Sequence, residues 1–483
     1  MRVISTPARL VLLAFVSLIS IGTILLALPI SSDGPRAVAL EDALFLATSA
    51  STVTGLASID IANFSLFGEL VILALIQVGG FGVMTIGSVM ALVVLRRVGL
   101  RQRMLAQAEI GQVDIGELSR LLWAIARITI VIEALLALVL FVRFWQAGYE
   151  DGPGAAAYSA VFHSIASFNN AGISLYSDNL ARFVLDPFVT LPVSAAFVVG
   201  GLGFPLLVEM WQRRPWGDRA RVRPSASSVA TTRVMESAHR ARHGHGSPRS
   251  IGPRRERAQP WSLHAKLTLA TTAALLVIGP LMIWLLEWTN PDTLGDLDLG
   301  GKLLAGWFQG VTPRTAGFNT ISIGAMNDET LFGTTVLMFV GAGPASTSGG
   351  IKVTTAAVLA AVLWAEVRGE RDVNVFRRRI PTAMVRAAVT IALLSVGLVV
   401  GTSLLLMASD GLELTPALFE SASAFGTVGL STGVTGAIGP FGHLVLVVVM
   451  FAGRVGPVTF ATAIALRSGS RLYRHPEERP IIG

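Results

Sequence analysis

Cysteine is absent from all 483 residues, which excludes disulfides, thiolate metal sites, iron–sulfur clusters and thiol catalysis. Charge is scarce too: Asp, Glu, Lys and Arg make up 14% of the chain, against about a quarter in soluble globular proteins. No G-x-x-x-x-G-K-[ST] phosphate loop and no H-E-x-x-H pair occurs, so neither ATP hydrolysis nor zinc-protease chemistry has its usual signature. What fills the space is apolar. Hydrophobic residues account for 52% of the chain, mean hydropathy is +0.63, and uncharged runs of twenty or so residues recur along most of its length. Such runs exclude a soluble fold and point to a polytopic membrane protein.

Uncharged stretches long enough to cross ~30 Å of hydrocarbon as helices are Leu10–Ile30, Leu70–Leu95, Pro187–Val208, Leu267–Leu286, Thr330–Ile351 and Ala387–Ser409. Leu121–Val142, with Arg127 and Glu133, and Leu444–Leu466, with Arg454, bring the expected spans to eight. Arg127 and Glu133 are six apart and so do not pair along one helix face. Four further apolar segments are too short or too polar to span: Ala43–Ile59, Ala156–Ser177, Leu303–Phe318 and Leu414–Leu430.

Arginines crowd one set of connections, at 2–9, 96–120, 213–257, 368–379 and 467–474, while the opposite connections carry acids such as Glu41, Asp42, Glu150, Asp151, Asp296, Asp298 and Asp410. The positive-inside rule makes the arginine side cytoplasmic and puts both termini there. The formal net charge of +7 is mostly local: residues 213–257 hold twelve arginines and three acids, and the remainder has 26 basic and 28 acidic residues. This Pro-, Ser- and Gly-rich segment reads as an insertion without a packed core. Resting on anionic headgroups suits it better than binding nucleic acid. His239, His243 and His245 lie in it, but zinc sites need closed ligand sets.

The 49 glycines conceal an internal repeat. Each short segment closes on a glycine, an apolar residue and then a small or amide residue: Thr54-Gly55-Leu56-Ala57, Ala171-Gly172-Ile173-Ser174, Ala316-Gly317-Phe318-Asn319 and Val428-Gly429-Leu430-Ser431. The glycines are 117, 145 and 112 residues apart, the widest interval holding the basic insertion. Non-helical backbone at membrane depth survives only where it is buried in protein or lines a wet path. Four such segments around one axis can aim carbonyl oxygens at a dehydrated cation and replace its hydration shell. Thr52-Val53-Thr54-Gly55 resembles the T-V-G-Y-G potassium filter, and no signature contains a carboxylate, which favours a monovalent ion. The alternative is that the glycines only let helices approach closely.

Gly341-Ala342-Gly343-Pro344-Ala345-Ser346-Thr347-Ser348-Gly349-Gly350 holds too many breakers for a continuous helix, so an intramembrane loop is expected there. Arg454, at mid-span, marks either an ion path or a helix-to-helix hydrogen bond; Lys352 is similarly open. An enzyme would have to draw on Glu133, His163, Glu209 and His443, which show no metal-ligand spacing. A receptor-like scaffold would need no fourfold glycine signature.

Taken together, Ala47–Leu56, Gln77–Thr85, Phe168–Gly172, Gly200–Pro205, Thr312–Asn319, Gly349–Lys352, Gly426–Ser431 and Gly453–Pro457 resemble the Trk/Ktr/HKT superfamily of potassium transporters. Only one span precedes the first signature, which resembles the Ktr branch more than the Trk branch. The resemblance implies an all-α polytopic fold of eight transmembrane helices and four re-entrant half-helices, in four span–pore loop–span units around a pseudo-fourfold pore. The units fall at 1–104, 105–212, 263–372 and 373–466, with the insertion at 213–262 and a tail at 467–483. It implies a selectivity filter at Thr52, Val53, Thr54 and Gly55; Asn169, Asn170, Ala171 and Gly172; Thr315, Ala316 and Gly317; and Thr427, Val428 and Gly429. Potassium would meet the backbone carbonyls of Thr54, Gly55, Ala171, Gly172, Ala316, Gly317, Val428 and Gly429. Glycine rather than serine at Gly55 implies preference for potassium over sodium. A gate is implied at Gly341, Gly343, Ser346, Thr347, Gly349, Gly350 and Lys352, with Arg454 as a barrier to cations; the Ala-Ser-Thr-Ser wording departs from the family there. The implied partners are a second copy of the chain and a cytosolic nucleotide-binding ring of the KtrA type, docked at 96–120, 367–386 or the tail. Sodium coupling is a further implication, and this chain itself would bind no nucleotide.

Overall fold

The computed structural model describes residues 7–34, 37–82, 85, 115–212 and 261–456. The 96–103 connection, almost all of the basic insertion with its three histidines, and the tail lie outside the described residues. What is described is predominantly helical. The helices are α1 (Pro7–Leu26), α2 (Leu40–Thr52), α3 (Leu66–Gly82), α4 (Ile115–Gln146), α5 (Pro153–Phe168), α6 (Pro187–Leu202) and α7 (Phe204–Gln212). They continue as α8 (Leu263–Glu287), α9 (Leu299–Val311), α10 (Asp328–Phe339), α11 (Val353–Val367), α12 (Thr382–Asp410), α13 (Leu414–Gly426) and α14 (Pro440–Val455). A two-stranded hairpin pairs β1 (Asn374–Val375) with β2 (Arg378–Arg379) between α11 and α12.

Within the described residues, three unbroken helices are long and apolar enough to cross ~30 Å: Leu122–Gln146, Leu263–Glu287 and Thr382–Asp410. Two expected spans are not continuous. Pro187–Val208 bends by 99° between α6 and α7, because Gly203 takes φ +88° against the Pro344 carbonyl. Thr330–Ile351 ends as helix at Phe339 and becomes loop, after which α11, not foreseen from the sequence, resumes at Val353. Leu444–Leu466 starts earlier, at Pro440, and its helix closes at Val455 before Gly456 at φ +94°. Arg127 is exposed, whereas Glu133 is buried.

The short helices α2, α5, α9 and α13, of 13 to 16 residues, reach only about 20 Å at 1.5 Å per residue. They are nonetheless among the most enclosed parts of the molecule, with nine buried residues in each of α2, α5 and α13. Several of their buried hydroxyls are satisfied within the helix: Thr52 Oγ1 donates to the Thr48 carbonyl at 2.7 Å, Ser167 Oγ to that of His163 and Ser421 Oγ to that of Ala417 at 2.7 Å, while Thr48 Oγ1 and Ser51 Oγ find no partner. This local bonding lets Ser and Thr sit in an apolar interior at little cost.

Two apolar cores hold the assembly. One gathers residues of α1 to α6 but also takes Phe308, Val311, Ala316 and Phe318 from the second half. The other gathers residues of α8 to α10 and α12 to α14 and takes Phe45 and Leu56 from the first. Glycine sets the close approaches. A Cβ at Gly310 would lie 2.2 Å from the Pro280 backbone nitrogen, whereas nothing lies within 4 Å of one at Gly397. Gly310→Ala therefore costs about 1–3 kcal/mol of overpacking and lowers the thermal midpoint of detergent-solubilised protein; Gly397→Ala leaves it unchanged.

Candidate functional site

The four signature glycines form a closed ring. A Cβ built on Gly55 would lie 2.4 Å from the Ala171 oxygen, on Gly172 2.7 Å from Gly317 Cα, on Gly317 2.2 Å from the Val428 oxygen, and on Gly429 2.4 Å from the Thr54 oxygen. No side chain fits at any of them. All four have left-handed backbone, at φ +98°, +64°, +75° and +93°. Two residues earlier, Val53, Asn170, Thr315 and Thr427 are left-handed too, at +55°, +61°, +71° and +50°. The residues between, Thr54, Ala171, Ala316 and Val428, keep negative φ. Left-handed backbone costs a β-branched residue dearly, so the surrounding structure enforces the alternation. Alternation of this kind can turn successive carbonyls toward the same side.

The amide groups are drawn the other way. Thr54 N donates to the Ser49 carbonyl at 2.7 Å, Ala171 N to that of Ala166 at 2.8 Å and Val428 N to that of Ser423 at 2.9 Å; Ala316 N reaches the Thr312 carbonyl at 3.0 Å. Gly55 N and Gly429 N donate to Ser49 Oγ and Ser423 Oγ at 3.0 and 3.1 Å. These six N–H groups are thus spent on the ends of their own short helices, and α2, α5, α9 and α13 all end at this ring, so their partly negative C-terminal ends face it.

Sequence placed both Asn169 and Asn170 at the ring, and the structure separates them. Asn170 bridges Thr315 Oγ1 at 3.3 Å and Thr347 Oγ1 at 3.1 Å in either amide orientation. The Asn169 side chain turns away, toward Gln77 and Glu133. Thr52 and Thr54 pair their hydroxyls at 2.7 Å. The glycines of the following helices were not singled out as part of the site. A Cβ at Gly79, Gly200 or Gly453 would lie 2.0, 2.1 or 1.9 Å from the carbonyl oxygen of Ser51, Phe168 or Phe425, each four residues before a signature glycine. Their signal is a second recurrence, 24, 28 and 24 residues after Gly55, Gly172 and Gly429.

The 340–352 loop packs against the ring on the side of its left-handed Asn170 and Thr427. A Cβ at Gly349 would meet Thr427 Oγ1 at 2.3 Å, and Ser346, Thr347 and Ser348 are fully buried. The loop is tied at both ends: Gly341 N donates to the Ile351 carbonyl at 2.8 Å and Val353 N to that of Ala342 at 3.1 Å. Laterally, Gly343 N donates to the Gly201 carbonyl at 2.8 Å and Phe204 N to that of Ala345 at 3.1 Å. Ser346 Oγ donates to the Gly343 carbonyl at 2.6 Å, and Gly350 turns the chain at φ +63°. Two cations hold the rest. Lys352 Nζ donates to the carbonyls of Ser348 and Gly349, and Arg454 donates through Nη1 to that of Thr347 and through Nη2 to that of Gly79 at 3.4 Å. Arg454 is therefore a hydrogen-bonding link between helices and also the fastening of the loop.

The side chains that an enzyme would need are dispersed in separate contacts. His163 bonds Ser159 O at 2.8 Å and Ser174 Oγ at 3.0 Å. His443 bonds Thr435 O at 2.9 Å, and Glu209 accepts from Ser262 N and Oγ at 3.0 and 2.6 Å. No group of three potential metal-ligating side chains occurs among the described residues. If Arg454 fastens the loop, Arg454→Gln speeds amide hydrogen exchange across residues 341–350 by about tenfold or more, the scale of a lost charge-assisted bond, with exchange in α12 unchanged.

Three comparisons bear on this arrangement. The family model described as cation transport protein, TrkH, matches residues 5–218 and 263–472; the gap between them falls within the basic insertion. The chain is 36% identical over 480 residues to Ktr system potassium uptake protein B of Bacillus subtilis, covering 99% of this chain and 97% of that protein. It is 30% identical over 485 residues to potassium/sodium uptake protein NtpJ of Enterococcus hirae, covering 99% and 97%. Among solved structures, the potassium transporter TrkH of Vibrio parahaemolyticus superimposes with a TM-score of 0.67 at 18% identity, covering 96% of this chain and 86% of that one. That last likeness speaks to the fold alone.

Proposed function

Because the chain belongs to the TrkH family of cation transport proteins, we propose that it takes up potassium across the plasma membrane through the ring of four signature glycines. It is a transport protein and not an enzyme, as its relatives are. The observation that carries the reading is the doubled left-handed register, Val53 with Gly55, Asn170 with Gly172, Thr315 with Gly317 and Thr427 with Gly429. Backbone of that kind can turn carbonyl oxygens toward a common axis, the surface that replaces the water around a dehydrated monovalent cation. The ion meets the carbonyls of Thr54, Gly55, Ala171, Gly172, Ala316, Gly317, Val428 and Gly429. Four helix C-termini add partial negative charge, and the membrane potential supplies ~2.3 kcal/mol per charge per 100 mV.

In this reading the four span–pore loop–span units are 1–104, 105–212, 263–372 and 373–466. The 340–352 loop is the gate, closed beneath the filter by Asn170, Lys352 and Arg454. Both cationic groups sit where a permeating ion must pass, so opening requires the loop to leave Asn170 and Thr427. The chain works as a homodimer, with both termini cytoplasmic, under a cytosolic nucleotide-binding regulatory subunit. That subunit docks on the 96–120 or 367–386 connection or on the 467–483 tail. The basic insertion lies along anionic headgroups. Sodium dependence is part of the proposal; one of the relatives is named for both ions.

Potassium uptake in cells stripped of their own uptake systems tests the reading. The wild-type chain, co-expressed with a regulatory subunit of the Ktr kind, restores growth at low potassium. Gly55→Ser places a Cβ where the Ala171 oxygen lies, at a positive φ, and lowers the potassium-to-sodium uptake ratio by about tenfold, the worth of one carbonyl position. Wild-type protein that reaches the membrane and restores no potassium-dependent growth under any partner condition overturns the proposal.

A further inference from the structure

Behind the second signature lies a buried polar cluster that the ring itself does not use. Glu133, at mid-length in α4, is 8% exposed and Asn169 is fully buried. The Asn169 Nδ2 group donates to Glu133 Oε1 at 3.0 Å, to Gln77 Oε1 at 2.9 Å and to the Ile165 carbonyl at 3.0 Å. Gln77 Nε2 in turn donates to Glu133 Oε2 at 3.2 Å. The carboxylate therefore holds two amides at once, one from α3 and one from the cap of α5. A second bond fixes α4 against α5, from Ser164 Oγ to the Glu133 backbone carbonyl at 2.6 Å, and it is independent of the carboxylate.

The position of Asn169 gives this cluster leverage. It is the residue immediately before left-handed Asn170, whose side chain reaches both the third signature at Thr315 and the loop at Thr347. Its amide oxygen is wedged against α3, so that a Cβ at Gly80 would lie 2.0 Å from Asn169 Oδ1. A carboxylate is costly to bury, and a purely packing role at this place would be filled by an apolar residue without that cost. We propose that Glu133 is a positioning residue for ion discrimination: by gripping Asn169 it fixes the 169–172 turn, and with it the Ala171 carbonyl and the Asn170 bridge. The inference rests on the reading of the glycine ring as the ion filter.

Full-length protein in liposomes, driven by a potassium gradient, provides the test. Rubidium-tracer uptake is competed with potassium or with sodium, and the ratio of the two half-inhibiting concentrations measures discrimination. Glu133→Met keeps the volume and removes both acceptors. It retains tracer uptake while discrimination falls about tenfold, the scale of one hydrogen bond to a charged group. Glu133→Gln, which keeps one acceptor, stays within about threefold of wild type. Gln77→Met shifts discrimination in the same direction and reads the cluster should Glu133→Met fail to assemble. Wild-type protein without uptake overturns the filter reading. Wild-type uptake with unaltered discrimination in Glu133→Met, or in Gln77→Met should it be the variant that assembles, overturns the positioning role alone.

Discussion

Everything in this molecule depends on one constraint: backbone that leaves the helix inside a membrane must find partners for its N–H and C=O groups within the protein. The four signatures meet it asymmetrically. The N–H groups of Thr54, Gly55, Ala171, Ala316, Val428 and Gly429 turn back onto the ends of their own short helices, while backbone of the four signatures meets around the ring. Such an arrangement is costly in an empty apolar medium and favourable around a cation. The cost is spread over left-handed valine, asparagine and threonine, which hold that conformation because the helices behind them are packed too closely for any other.

The packing that enforces it is again a matter of glycine, now on the neighbouring helices. Gly79, Gly200 and Gly453 leave room for the carbonyls of Ser51, Phe168 and Phe425, and so let the following helix buttress each short one at backbone contact. The loop uses the same device, since Gly349 lies against Thr427 and Gly203 against Pro344. Ring, buttress and loop are therefore one continuous contact, linked by Asn170 and Arg454. A displacement of the loop must be felt at Asn170, and through it at the third signature.

Much of this was legible in the sequence, and what escaped did so for physical reasons. The signature glycines stood out because their spacing repeats, and the loop because its breakers are dense. The left-handed residues two places earlier carry no such mark: Val53 and Thr427 are types that avoid positive φ, and only tertiary contacts put them there. The bend at Gly203 was invisible because Gly200, Gly201 and Gly203 sit in one uncharged run, and small residues in such a run are equally compatible with a straight, closely packed span. Helix α11 carries no spanning signal because its uncharged run, Val353–Ala365, is too short to cross ~30 Å. That Asn169 faces away while Asn170 faces inward could not be told from two identical neighbours, since their directions are set by Gln77 and Glu133, far away in sequence.

The two apolar cores are each completed by the other half of the chain. Phe45 and Leu56 belong to the core of the second half, and Phe308 and Phe318 to that of the first. During synthesis the first half therefore enters the bilayer with its own core unfinished and with two side chains waiting for residues not yet made. It cannot become a finished module ahead of its partner, as separate domains do. The two halves are obliged to complete their folding together.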